Sequence, residues 1–213
     1  MKNEIRYCED IGMWVTDRDI QKTCKWRTPF CSNCYNHKLY NIFKNMKTKD
    51  VRNEEFWADL DGDKFKKAFK GKRKGVTLKR FRFQTRGETF SSPKDVFKVL
   101  DILAKNEDVI FWIPTRAWRD SEMKTLIETY IFPLKNARVQ ASMDPTNTPE
   151  EWAKVKKHGW STLFYGENDM IRNPNGDLMK LCSKTFFEEK SACATCKDAC
   201  FSEKRNDTHL KQH

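Results

Sequence analysis

The chain contains no apolar run approaching the roughly 20 residues that cross a bilayer, so no transmembrane helix is expected. Its first residues, Met1-Lys2-Asn3-Glu4-Ile5-Arg6, lack the apolar segment of a secretory signal, and the expectation is a cytosolic protein with no membrane partner. No internal repeat and no low-complexity linker interrupts the 213 residues, a length that supports one sizeable core with appendages. Nucleophile-elbow, P-loop and dinucleotide signatures are missing, which removes the most recognisable hydrolase and nucleotide loops. Histidine is scarce: His37, His158, His209 and His213 show no paired metal spacing, and only His37 lies near a cysteine group, where it reads as a surface or outer-shell residue. Hydrophobic residues are only 38% of the total, but 15 Phe and 7 Trp supply enough bulk for a packed interior.

Against these absences stand eight cysteines. In a reducing compartment a clustered set reads first as metal ligands or redox centres rather than as disulfides. Cys24, Cys31 and Cys34 form a C-x6-C-x2-C group in a loop that enters a helix. Three thiolates can hold three irons of a 4Fe-4S cube and leave the fourth iron open, and a nearby helix N-terminus favours thiolate over thiol. Cys182, Cys193, Cys196 and Cys200 form a C-x10-C-x2-C-x3-C group. Four thiolates close either a 4Fe-4S cluster or a structural zinc site, with zinc the less favoured. Cys8 stands alone, either a small buried hydrophobe or a distant fourth ligand.

Periodicity organises the rest. Tyr35, Leu39, Ile42, Phe43 and Met46 share one face of a predicted helix that begins beside Cys31 and Cys34, and a second helix is expected over Asn53 to Lys70 with Gly62 interrupting it. A short strand is read at Gly12 to Val15, and further strands at about Thr77 to Thr85, Val109 to Pro114, Ala137 to Ser142 and Ser161 to Tyr165. Between them, helices begin at Ser92-Pro93, at Ser121 (carrying Met123, Leu126, Ile127 and Tyr130 inward) and at Thr148-Pro149-Glu150-Glu151, the last ended by Gly159. This alternation predicts an α/β fold with a parallel sheet. Ligands of such sheets sit beyond the carboxyl ends of the strands, where Arg86, Glu88, Thr115, Arg116, Ser142, Asp144, Tyr165 and Glu167 fall. Taken singly each could be a solvated loop residue; together they would face the first cysteine loop.

The stretch Lys22-Thr23-Cys24-Lys25-Trp26-Arg27-Thr28-Pro29-Phe30-Cys31-Ser32-Asn33-Cys34-Tyr35 resembles the amino-terminal cysteine motif of the phage gene-product-88 family. The likeness continues at Arg82-Phe83-Gln84-Thr85-Arg86-Gly87-Glu88, at Thr115-Arg116, at Ala141-Ser142-Met143-Asp144 and in the carboxy-terminal cysteine group. That family looks like a reduced relative of radical S-adenosylmethionine enzymes. The resemblance implies a partial, TIM-barrel-like α/β domain over residues 1–200, with an amino-terminal cysteine loop (22–35), a cysteine-rich extension (182–200) and a polar, frayed tail (201–213). It implies one or two 4Fe-4S clusters in a phage protein acting in the cytoplasm of a bacterial host. It also admits S-adenosylmethionine as a ligand, with Gly87 and Glu88 standing where related enzymes grip its amino group. It brings no known reaction, so a redox or regulatory role, a radical enzyme and a zinc-stabilised nucleic-acid module all remain open.

The net charge of +11 favours an acidic partner, whether a redox protein, nucleic acid or a small anion, and the chain is expected to act as a monomer. Lys64, Lys66, Lys67, Lys70, Lys72, Arg73, Lys74, Lys79, Arg80 and Arg82, interleaved with Phe65, Phe69 and Phe81, could track a nucleic-acid backbone or form a solvated face.

Overall fold

The computed structural model describes residues 4–73, 76–166, 172–188, 192–196, 199–203 and 206–211. The chain opens with an antiparallel hairpin of β1 (Arg6–Cys8) and β2 (Met13–Val15), followed by α1 (Ile20–Thr23), a 3-10 turn (Pro29–Asn33), α2 (Tyr35–Ile42), α3 (Met46–Asp59) and α4 (Gly62–Ala68). A separate two-stranded hairpin, β3 (Lys72–Arg73) and β4 (Val76–Thr77), leads into the repeating part. There β5 (Arg80–Arg82), α5 (Pro93–Lys105), β6 (Ile110–Thr115), α6 (Ser121–Tyr130), β7 (Ala137–Met143), α7 (Pro149–Lys157) and β8 (Ser161–Gly166) alternate. The carboxy-terminal part adds β9 (Lys180–Leu181), α8 (Ser183–Phe186), α9 (Ala192–Thr195) and β10 (Thr208–Lys211).

The result is an eight-stranded, open sheet in the order β1-β2-β5-β6-β7-β8-β10-β9, parallel throughout except for the first pair. From β5 to β8 the order rises without reversal. Right-handed crossovers in one direction put their helices on one face. Strand alternation then divides the interior. Phe81, Phe83, Phe111, Ile113, Val139 and Ala141 point toward the helices and join Trp57, Phe65, Val99, Ile102, Ile127 and Trp152. Phe65, Phe81, Phe83 and Phe111 form the centre, with ring centroids 5.0–5.9 Å apart. Removing each such side chain from water contributes about 1.5–3 kcal/mol. The residues between them face the other way. Met13, Val15, Trp112 and Leu163 make a second, smaller cluster covered by Phe201, Cys193 and Cys200. The cysteine-rich segment is thus the lid of the sheet's second face.

Helix ends follow local chemistry. Thr148 and Glu151 make the expected capping box, and Gly159 at φ +76° leaves the helix. Asp120, one residue before Ser121, caps α6 through the Met123 amide. Trp57 Nε1 donates to Asp95 at 2.7 Å, and the Ser91 and Ser92 hydroxyls donate to the same carboxylate.

Four expectations need correction. The helix after Ser32 does not run on to Met46: it breaks after Ile42, and Ile42 and Phe43 stand 66% and 54% exposed. The strand expected over Thr77 to Thr85 is split, because Gly71 at φ +60° turns the chain and accepts from the Leu78 amide at 2.8 Å, closing β3 on β4 before β5 begins. Tyr130 is 39% exposed and packs on the still more exposed Phe97 rather than pointing inward. The tail beyond Phe201 does not fray throughout: β10 inserts between β8 and β9, with Thr208 and His209 fully buried. Asp207 fixes its entry, accepting from the Thr162 amide at 2.7 Å, from Asn173 at 3.0 Å and from Lys156 at 2.9 Å.

Candidate functional site at the carboxyl rim

A cavity of about 430 Å³ opens at the carboxyl ends of the parallel strands, on the face away from the helices. The first thiol group lines it: Cys24 follows α1, while Cys31 and Cys34 flank the end of the 3-10 turn, with Arg86, Gly87 and Glu88 from the loop after β5 opposite. Arg116 follows β6, and Ser142 comes from the end of β7. His37 also lines the cavity.

The loop that carries the thiols is held by the rim itself. Gly87 has φ +83°, and a Cβ there would lie 2.8 Å from Thr23 Oγ1 and 2.9 Å from Arg18 Cβ and O. Only glycine permits this approach. Arg18 N–H donates to the Arg86 carbonyl at 2.9 Å, and the Glu88 amide donates to Thr23 Oγ1 at 2.9 Å. Arg18 is itself buried, paired with Glu54 at 2.9 Å and Asp95 at 3.2 Å. Four residues beyond α1, Arg27 donates to the carbonyls of Cys24 at 2.9 Å and Ile20 at 3.0 Å.

Glu88 accepts from the Thr115 hydroxyl at 2.7 Å, the Arg116 amide at 2.9 Å and the Phe90 amide at 3.2 Å. Burial outweighs these neutral donors and raises its carboxyl above the usual range. Thr115 itself is buried and braces Glu88 rather than facing the cavity. Asp144 is buried behind Arg116, 2.6 Å from its guanidinium, and accepts from Thr28 Oγ1 at 2.7 Å. Burial pushes the Asp144 carboxyl up, but Thr146, Thr28 and Arg116 together hold it below its ordinary value. Thr28 in turn reaches a sulfur: its amide donates to Cys31 Sγ at 3.4 Å, and its hydroxyl lies 3.5 Å away. A polar chain therefore runs from β7 through Arg116 and Thr28 to a cysteine of the loop. Arg86 is tied down from behind by Asp50 at 3.0 Å.

The second thiol group lies lower on the same face. Arg80 of β5 donates to the carbonyls of Cys196 at 2.6 Å and Cys193 at 2.9 Å, anchoring the cysteine segment to the sheet. The Cys182 amide donates to the His209 carbonyl at 2.9 Å, which ties that cysteine to β10. Burial pushes Cys193 up to about 12, with Cys182 adding and Arg82 opposing; Cys200 is raised well above its ordinary value by burial and by Cys182 and Cys193. Burial likewise raises Cys24 to about 12, with Glu88, Cys34 and Cys31 adding and Arg27 opposing. Each group is thus within electrostatic reach of its own members, and Arg82 links them, lining the cavity while acting on Cys193 and Cys200. Cys8 packs against the second cluster and shares Lys184 as an electrostatic neighbour with Cys193, so it belongs beside that group. All eight cysteines are free thiols. Among the described residues no three His, Cys, Asp or Glu side chains are gathered at the distances of one metal ion.

Of the residues expected at the rim, Arg86, Gly87, Glu88, Arg116, Ser142 and Tyr165 border the cavity, Thr115 and Asp144 support it from behind, and Glu167 lies outside the described residues. Sequence reasoning missed the cavity-lining Gln84, Asn36, Trp26 and Phe30. Asn36 had a legible place, two residues after Cys34 on the predicted helix; Gln84 stands inside the Arg82–Glu88 stretch, but nothing there marked it as a cavity residue. The basic run does not form one continuous track. Lys64 and Lys79 pair with Asp59 and Asp108, and Arg80 and Arg82 turn toward the cysteine face, while Lys74 lies outside the described residues.

The chain belongs to the Gene product 88 family of phage proteins, whose model matches residues 9–170. The matched segment contains the first thiol group and the loops that follow β5, β6 and β7; the second thiol group lies beyond it. No curated protein and no solved structure matches the chain significantly. No helix among the described residues is long and apolar enough to cross a membrane.

Proposed function

We propose that the chain is an iron-sulfur protein with a redox or regulatory role, built on a partial barrel of the radical-SAM kind. Cys24, Cys31 and Cys34 would hold one 4Fe-4S cluster at the rim, and Cys182, Cys193, Cys196 and Cys200 a second beneath it. The observation that carries this reading is the collection of seven free thiols, from segments more than a hundred residues apart in sequence, into two groups on one sheet face. The donor set is all sulfur. A single tetrahedral zinc would draw its sulfurs to about 3.8 Å of one another, given Zn–S bonds of about 2.3 Å. A four-iron cube takes the same all-cysteine shell at wider sulfur spacing, so metal analysis separates the two. The Thr28 amide directed at Cys31 Sγ is the kind of contact that tunes a cluster's potential. When bound, the clusters would supply one-electron transfer, and the three-thiol site would leave one iron open. The chain's own part is to hold the loop through Gly87 and Arg18 and to offset negative charge with Arg27 and Arg82. An acidic redox protein is the partner that the net charge of +11 fits.

A second reading, S-adenosylmethionine at the open iron, draws support from Gly87 and Glu88 bordering the cavity beside Cys24. Both Glu88 oxygens are already engaged by Thr115, Phe90 and Arg116, which leaves the carboxylate little to offer a ligand ammonium, so we rank it second. The single variants Cys31→Ser and Cys196→Ser separate the sites. Each should lose about half the iron of the anaerobically prepared protein, about four atoms per site. Unchanged iron in both variants, or zinc in its place, would reject the proposal. Formation of 5′-deoxyadenosine on anaerobic reduction with S-adenosylmethionine would promote the second reading.

A further inference from the structure

One cavity-lining side chain is explained neither by the fold nor by the thiols. Gln84 is only 4% exposed, it lines the cavity, and neither its Oε1 nor its Nε2 has a hydrogen-bond partner among the described residues. An unpaired buried amide is costly. Its backbone adds a second cost, since φ is +52° in a region that side chains other than glycine rarely adopt. A ligand that supplies the missing donor and acceptor would satisfy the amide, and the backbone strain kept at the same position marks it as a candidate recognition residue.

The rest of the wall narrows the ligand. A primary amide open at both ends matches a planar edge that presents a donor beside an acceptor, as nucleobases do. Asn36 Oδ1 and the Nε atoms of Arg82 and Arg86 are also buried without partners in this wall. Arg82 has no ion-pair partner among the described residues, and Lys38 also lines the cavity, so an anionic group is favoured there. Trp26, Phe30 and Tyr165 supply rings against which a heterocycle can pack, Phe30 and Tyr165 meeting edge to face at 6.0 Å. The volume of about 430 Å³ lies within the range of small-molecule sites.

We propose that this cavity binds a nucleoside monophosphate, with Gln84 reading the base edge and Arg82 balancing the phosphate. The proposal goes beyond the cluster reading: Gln84, Arg82 and Tyr165 come from strand ends, while Trp26, Phe30, Asn36 and Lys38 come from the thiol loop and the helix after it.

The test is isothermal titration of the anaerobically purified full chain with AMP, GMP, CMP and UMP, with the matching nucleosides and inorganic phosphate as partial probes and iron measured on the same samples. At least one nucleotide should bind at least about tenfold more tightly than its nucleoside or phosphate alone, and Gln84→Gly should weaken that binding by at least about tenfold. Glycine relieves the positive φ, so a loss of binding in Gln84→Gly does not come from added backbone strain. Gln84→Glu, which replaces the donor with an acceptor, should lose binding as well. Absence of nucleotide binding, phosphate binding as well as the best nucleotide, or undiminished affinity in Gln84→Gly would each overturn the proposal. The iron content reports separately on the clusters.

Discussion

Replacing Gly87 by alanine should damage the rim in two measurable ways, and the size of the effect follows from local geometry. At φ +83° a left-handed non-glycine residue costs about 1–2 kcal/mol. The new Cβ would lie 2.9 Å from both Arg18 Cβ and the Arg18 carbonyl, and 2.8 Å from Thr23 Oγ1. The two Arg18 atoms cannot move without moving the chain, and overpacking of this sort costs about 1–3 kcal/mol more. A total near 3 kcal/mol corresponds to a melting temperature about 6–12 °C lower for a domain of this size. Gly159→Ala is the matched control: φ is +76°, yet a Cβ there meets nothing within 4 Å, so only the conformational cost applies. Thermal and urea denaturation of both variants should show Gly87→Ala as the more damaged. Because Arg18 and Thr23 lie just ahead of Cys24, Gly87→Ala should also lose metal at the first thiol group while the second keeps its own. Equal destabilisation of the two variants would refute the close-packing argument.

Other expected outcomes follow from single contacts. Arg80→Met removes the donor shared by the Cys193 and Cys196 carbonyls, so iron at the second group should fall while the first is retained; metal analysis combined with Cys31→Ser assigns the loss. Asp144→Asn leaves Arg116 without its carboxylate and should cost about 3 kcal/mol by chemical denaturation, the low end for breaking a buried pair because Arg116 still reaches solvent. Burial pushes Asp95 up, but Arg18, Trp57, Ser91 and Ser92 outweigh it and hold the carboxyl below its ordinary value. The folded state thus binds the Asp95 proton less readily than the unfolded chain, and the contribution is present in full above an unfolded pKa of about 3.9 and lost as pH falls through the depressed folded value. Asp95→Asn should be less stable at neutral pH and show a shallower acid limb in denaturation midpoints; an unchanged limb would contradict that assignment.

The repeating α/β part was legible because its signals are local. The alternation of Phe81, Phe83, Phe111 and Ile113 with residues facing the second cluster, and the capping box at Thr148 and Glu151, are written within a few residues of sequence. The thiol groups and the polar strand ends were legible for the same reason. What escaped depends on partners far away. The β10 segment is four residues long and becomes a strand only because β8 and β9 flank it and Asp207 is caught by Thr162, Asn173 and Lys156. The break after Ile42 defeats a well-formed apolar stripe because no packing surface meets Ile42 and Phe43 there. Thr115 and Asp144 were expected to face a ligand but brace Glu88 and Arg116 instead, a distinction that lies in side-chain direction rather than in position along the strand. Gln84 stands inside the Arg82–Glu88 stretch, yet its part in the cavity was not legible there because it rests on a backbone angle and on two unmatched polar atoms.

The most direct measurement is the iron and acid-labile sulfide content of anaerobically prepared full-length protein, read together with its visible and EPR spectra. Clusters at the thiol groups predict a brown protein with iron and sulfide in near-equal amounts, about four of each for every occupied cluster and about eight if both thiol groups are filled. A colourless preparation free of iron and sulfide, or one holding zinc alone, would contradict it.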